Sequence, residues 1–277
     1  MTDRPPFVSF LSDYGRTDEF VGVCHAVMLD IAPAVRIVDV SHDVPPFDVR
    51  AGALTLVRAV QYLPEGVVLA IVDPGVGTDR RMVAVEVEHG FLVGPDNGLL
   101  APAVAMLGGP RRVVALTNTA YQLPAPGPTF AGRDVMAPAA AHRLNGVDPA
   151  ELGPVVDPAS LAPGLVPLPD VDDDGNVVAE VLWVDRFGNC QLNVDPPYLA
   201  SVGVDLAGGV EVRIGDRGRR ARFAPAYAEA RPSELLVVVD SYGTCALAFD
   251  RQSAAAQLGL RAGAKVVLAA PPREQSP

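Results

Sequence analysis

Residues 7–40 read FVSFLSDYGRTDEFVGVCHAVMLDIAPAVRIVDV. Phe7 to Leu11 and Val35 to Val40 are short, β-rich apolar runs, and Asp18 to Ile31 between them is amphipathic with helical spacing. Strand, helix and strand in that order predict two parallel strands joined by a right-handed crossover. The pattern then repeats. Asp48 to Leu63 reads as a second helix with Asp48 as its N-cap, and Val67 to Val72 as a third strand. Met82 to Val87 and Arg112 to Leu116 extend the sheet. The fold class is α/β, and the expected first unit is an N-terminal parallel-sheet α/β domain over residues 1–165.

The character of the chain changes beyond that domain. Five prolines fall between Pro154 and Pro169, followed by the acidic run Asp170 to Asn176, which suits neither a helix nor a central strand. Residues 166–176 are read as a linker. Past it, Val177 to Val184, Val210 to Ile214, Leu235 to Val239 and Cys245 to Phe249 read as strands between Gly- and Asp-rich turns, with one short helix near Ser253 to Leu258. Residues 177–277 are therefore expected to form a smaller C-terminal β-barrel domain.

Composition narrows the function classes. A net charge of −11 disfavours nucleic acid as a partner, because its phosphates repel an acidic surface. No apolar stretch reaches the roughly 20 residues of a membrane span, and the first residues lack a secretory pattern, so no membrane partner and a cytoplasmic location are expected. Cys24, Cys190 and Cys245 are odd in number and far apart, which suggests neither a disulfide framework nor a thiolate metal site. The four histidines show no ligand spacing, and no metal is expected.

The informative residues sit where strands of the first domain end. In open α/β sheets ligands bind beyond the carboxyl ends of the strands. Strand one runs into Ser12-Asp13-Tyr14-Gly15, strand two into Asp39-Val40-Ser41-His42-Asp43, and strand three into Asp73-Pro74-Gly75-Val76-Gly77-Thr78. Each such residue alone reads first as a turn or cap residue. Together they put three acidic clusters on one sheet edge, where a carboxylate such as Asp13 can accept both hydroxyl hydrogens of a ribose. Neither a Gly-x-Gly-x-x-Gly nor a Walker lysine is present, so phosphate binding is not favoured.

These motifs resemble the SAM (S-adenosylmethionine) hydroxide adenosyltransferases, the hydrolytic relatives of the SAM-dependent fluorinase and chlorinase. The resemblance is carried by Phe10 to Gly15 with Asp18, Asp39 to Asp48, Val72 to Thr78 with Arg80, Gly94 to Leu100, Phe130 with Gly132 to Asp134, Asp185 with Phe187 to Asn189, and Ser241 to Gly243. It implies hydrolysis of SAM by water at the ribose 5′ carbon, giving adenosine and L-methionine with no cofactor, SAM being the substrate. It also implies a homotrimer with sites between subunits. By the same resemblance Asp13 holds the ribose hydroxyls and Phe47 is an aromatic ring against the ligand. Asp73 and Arg80 belong to an Asp, Arg, His set that handles the attacking water. Phe187 and Asn189 contact adenine, and Asp185 and Ser241 lie near the amino-acid end. Without the resemblance, Phe187 reads as a core residue, Asn189 as a turn residue and Asp185 as a strand-end cap.

One position departs from the family pattern. Where those hydrolases carry histidine, this chain has Ala131, which can neither donate, accept nor titrate. Either Ala131 is natural and the enzyme manages with Asp73 and Arg80, or it is a substitution that traps a ligand. The sulfonium leaves as a neutral thioether, so placement of water is the main demand. An arginine beside Asp73 favours its ionised form, which makes it an orienting acceptor rather than a strong base. Two alternatives stand beside hydrolysis: a SAM-dependent halogenase and a non-catalytic SAM or adenosine binder. The halogenases carry Tyr and Thr where this chain has Asp73 and Val76, and a carboxylate there repels a halide.

Overall fold

The computed structural model describes residues 6–164 and 166–270, and the chain divides into two compact units between Val166 and Pro167. The first unit begins with strand β1 (Phe7–Ser12), helix α1 (Phe20–Ile31), strand β2 (Arg36–Ser41), helix α2 (Val49–Ala59) and strand β3 (Gly66–Ile71). Strands β4 (Met82–Val87) and β5 (Gly90–Pro95) follow, then helix α3 (Ala101–Met106), strand β6 (Arg112–Ala115), helix α4 (Ala137–Leu144) and the short strand β7 (Val155–Val156). They form one sheet in the order β2-β1-β3-β5-β4-β6-β7.

The first half of the sheet is parallel. β1 pairs with β2 and β3, and β3 pairs with β5, all in parallel register. The second half is not. β4 and β5 form an antiparallel hairpin in which Val87 faces Gly90, and β6 and β7 continue antiparallel. Only Glu88 and His89 separate β4 from β5, and two residues cannot hold the crossover that parallel pairing needs.

Helices cover the parallel strands on both faces, so β1 and β3 are buried nearly end to end. On one face Val8, Phe10, Leu69 and Ile71 pack with Met28 of α1 and with Met136 and Ala140 around α4. On the helix α2, Asp48 is the N-cap, its Oδ1 accepting the Ala51 N–H at 2.9 Å. Asp48→Ala is expected to lower unfolding stability by about 1 kcal/mol, read as a shift in the denaturant midpoint at unchanged slope.

The second unit contains β8 (Asp170–Val171), β9 (Val177–Val184), β10 (Cys190–Leu192), helix α5 (Pro196–Ser201), β11 (Val210–Ile214) and β12 (Arg217–Phe223). It ends with β13 (Leu235–Val239), β14 (Cys245–Ala248), helix α6 (Ala254–Leu258) and β15 (Lys265–Ala269). The order β10-β14-β13-β12-β11-β15-β9 returns to its start because β9 also pairs with β10, and this closes a barrel of seven strands. Inward residues Val177, Val181, Leu192, Val212, Leu235, Leu247 and Leu268 fill it. The segment read as linker is partly ordered. β8 pairs with the start of β9, and Asp172 caps the turn between them by accepting the N–H groups of Asp174 and Asn176.

Candidate active site

Three loops meet at the carboxyl ends of β1, β2 and β3. The Asp13 N–H donates to the Ile71 carbonyl at 3.3 Å, and the Gly15 N–H to the His42 carbonyl at 2.8 Å, so the loop after β1 is tied to both neighbours. A cavity of about 230 Å³ opens there, with Asp13, Tyr14, Phe47, Asp73, Val76 and Ala131 on its walls.

Asp13 is oriented by backbone. Its Oδ2 accepts the Phe47 N–H at 2.9 Å. Burial raises its carboxyl above the ordinary aspartate value, the backbone hydrogen bonds oppose this, and the nearby charge of Asp73 adds to the rise. Phe47 reaches its position with φ of 67°, a left-handed conformation unusual for a bulky residue. Its ring is 73% exposed, an apolar surface presented at the cavity instead of being spent on the core.

Asp73 follows β3, and its side chain is only 6% exposed. Arg80 grips it with both arms of the guanidinium: Nε donates to Oδ1 at 2.6 Å and an Nη donates to Oδ2. This fork fixes the carboxylate plane. A second cavity of about 400 Å³ contains Arg80 and Thr78 on its wall, and Ala131 lines both cavities. Ala131 caps a π-helical turn, Gly132–Met136, that leads into α4. Its small side chain adds little bulk to the cavity wall that it shares with Asp73.

In the barrel, Asp185 closes the β9–β10 loop. Its Oδ1 accepts the N–H groups of Phe187 and Asn189, both at 2.9 Å, and its Oδ2 accepts from Asn189 Nδ2 at 2.7 Å. Gly188 turns this loop with φ of 86°, and a side chain there would collide with Ser253. The tight turn pushes Phe187 outward, 78% exposed, so this ring is not a core residue. Ser241 lies in the β13–β14 turn, which Asp240 closes by accepting the N–H groups of Tyr242 and Thr244. Gln191 of β10 donates to Asp240, linking the two turns. Burial, then the charges of Asp185 and Asp240, push up the Tyr227 phenol. Asp240, Gln191 and Tyr227 were not among the residues singled out from sequence, because nothing in their spacing distinguishes them from turn and strand residues.

Other motif residues serve the scaffold. Asn97 Nδ2 donates to the Val72 carbonyl at 2.9 Å, and Asp96 pairs with Arg81 at 2.6 Å. Asp134, 5% exposed, is paired with Arg133. His25 and His42, 17 positions apart in sequence, converge on Asp39, their Nε2 atoms 2.9 and 3.0 Å from its Oδ1, while Ser12 Oγ lies 2.7 Å from His42 Nδ1. Such a group could hold a cation, but the carboxylate already lies between two imidazoles and none of the three lines the cavity. A larger space, about 500 Å³, lies at the opposite end of the strands beside Phe7, Gly66 and Gly90. Glu65, Glu86 and Glu88 line it, but it lies at the amino ends of the parallel strands, and ligands of open α/β sheets bind at the other edge.

Fold and cavity together define a two-unit protein, α/β sheet plus closed barrel, with paired carboxylates at the strand ends of the sheet. Residues 8–153 match the N-terminal domain of the SAM hydroxide adenosyltransferases and residues 179–267 their C-terminal domain, and the chain belongs to that family. It is 45% identical over 262 residues to the (R)-S-adenosyl-L-methionine hydrolase of Salinispora tropica, covering 93% of this chain and 95% of that one. The protein of the same description from Thermus thermophilus is 43% identical, with 94% and 98% covered. A fluorinase from an Actinoplanes species is 28% identical, with 95% and 97% covered. Among solved structures, an uncharacterized conserved protein from Thermotoga maritima superposes with a TM-score of 0.86 at 31% identity, covering 95% of this chain and 99% of that one.

Proposed function

We propose that this protein hydrolyses SAM at the ribose 5′ carbon, releasing adenosine and L-methionine. The observation that carries the reading is Asp73, held by Arg80 on the wall of a cavity that also contains Asp13. In this reading Asp13 accepts the ribose hydroxyls, Phe47 packs on the ligand, and Asp73 accepts a hydrogen of the attacking water while Arg80 fixes the orientation of its carboxylate. Phe187 and Asn189 address adenine, and Asp185 and Ser241 the methionine end. Ala131 marks the place of a missing imidazole. No metal or cofactor takes part, because a sulfonium leaves as a neutral thioether without acid assistance.

The proposal extends to a cytoplasmic homotrimer with sites completed between subunits; no helix among the described residues is long and apolar enough to cross a membrane. Asp73 and Val76 on the cavity wall disfavour halide, since a carboxylate repels an anion. The test is product analysis of purified protein with SAM, chloride and a chelator present. Adenosine is expected; halo-deoxyadenosine, or no product above background, would reject hydrolysis.

The acid side of the binding profile follows from Asp13. Its charged form accepts the ribose hydroxyls, and its folded-state pKa is raised, so protonation competes with ligand at a higher pH than for an ordinary aspartate. Adenosine affinity should be flat at neutral pH and fall as pH drops through that raised value, approaching tenfold per pH unit. Calorimetry over a pH series should give a flat profile for Asp13→Asn.

A further inference from the structure

We propose that the Tyr14 hydroxyl holds the attacking water, acting from the loop after β1 in the place where position 131 offers no side chain to do so. The inference rests on the SAM-hydrolysis reading above and names a further residue that touches the reacting atoms.

Tyr14 shares the cavity wall with Asp73 and Ala131. A methyl group on Gly132 would collide with Tyr14 Oη, so the hydroxyl reaches the backbone of the residue that follows Ala131. Three aromatic neighbours fix the ring. Phe10 and Phe130 meet it edge-on, with centroids 6.5 and 5.7 Å away, and Phe20 lies tilted at 5.7 Å. Against these fixed contacts, the hydroxyl has no hydrogen-bond partner among the described residues. A ring needed for packing alone is served as well by phenylalanine, whereas this hydroxyl opens on the cavity with no protein group to bond. Its partner is therefore expected in the cavity.

The environment also limits what this hydroxyl can do. Burial, together with Cys24 and the carboxylates of Asp13 and Asp73, pushes the phenol up, so it stays protonated at neutral pH and is no base. It can still accept one hydrogen of a water while Asp73 accepts the other, which leaves a lone pair of the water oxygen directed at the 5′ carbon. The new bond joins that oxygen to C5′. The C5′–S bond breaks, sulfur keeps the electron pair as a neutral thioether, and the surplus proton passes to the Asp73 carboxylate and then to solvent.

The test compares wild type, Tyr14→Phe and Tyr14→Phe/Ala131→His in single-turnover adenosine release at saturating SAM, with SAM affinity measured by calorimetry. Tyr14→Phe should lower the rate by about tenfold to a hundredfold with affinity changed by less than about threefold. The double variant should recover most of the loss, because an imidazole at 131 can hold the same water. A wild type that hydrolyses SAM no faster than Tyr14→Phe overturns the assignment of Tyr14 and leaves hydrolysis standing. So does a Tyr14→Phe variant whose whole loss is one of affinity, since that marks a structural ring. A wild type that binds SAM and releases no adenosine overturns both.

Discussion

Asp73→Asn is expected to reduce adenosine formation by roughly 10²- to 10⁴-fold, the range found when a positioned proton acceptor is removed. Asparagine keeps the shape but offers one neutral acceptor where the carboxylate offered two charged ones. The change also leaves Arg80 without its counter-ion, and breaking a buried ion pair from one side costs about 3–5 kcal/mol. Thermal unfolding must therefore be read beside turnover. Binding should move the other way or not at all. The charge of Asp73 contributes to the raised carboxyl of Asp13, so its removal makes Asp13 a better-ionised acceptor for ribose. A variant that stays folded, binds SAM as tightly as wild type and turns over at an undiminished rate would remove Asp73 from the reaction.

Asp13→Ala should act on binding. A charged acceptor of hydrogen bonds is worth about 1.5–3 kcal/mol, so losing it is expected to weaken adenosine and SAM by about 2 kcal/mol or more, roughly thirtyfold. A secondary effect adds to this. Asp13 Oδ2 accepts the Phe47 N–H, and that contact helps hold Phe47 at its positive φ. Without it the Phe47 loop is free to relax, and the aromatic wall of the cavity moves with it. Calorimetry with adenosine checks the first effect, and restoring the hydrogen bond with Asp13→Asn separates it from the second. Equal affinities for wild type and Asp13→Ala would place the ribose elsewhere.

Much of this architecture is written in local pattern. The βαβ run from Phe7 to Val40 and strands such as Val210 to Ile214 combine apolar periodicity with turn residues at both ends, and both occur in the structure with nearly those bounds. Other elements carry no such signature. β5 is framed by Gly90, Gly94 and Pro95, which read as punctuation; a side chain on Gly94 would collide with the Ala70 carbonyl, so the glycine belongs to the sheet after all. β12 holds Arg217, Arg219, Arg220 and Arg222, whose charges mask a strand that pairs on both edges and buries only Ala221 fully. At the candidate site, Asp13 and Asp73 stood out because three acidic clusters end neighbouring strands, although each alone reads as a turn or cap residue. Tyr14 did not: its place beside Gly132 depends on two loops more than a hundred residues apart, a proximity that no local spacing encodes.

The closed barrel bears on how the chain behaves when crowded. A ring of strands in which β9 pairs with β15 and β10 leaves the seven barrel strands no continuous edge on which a foreign strand could template. The other sheet is open, ending in β2 on one side and in the two-residue β7 on the other. β7 is too short to nucleate a ladder. β2 spans six residues and carries Arg36 and Asp39, and charges on an edge strand discourage pairing with a copy of itself. Replacing those two charges with apolar residues would convert the outer strand of the first unit into an adhesive margin, while the barrel would remain indifferent to its neighbours.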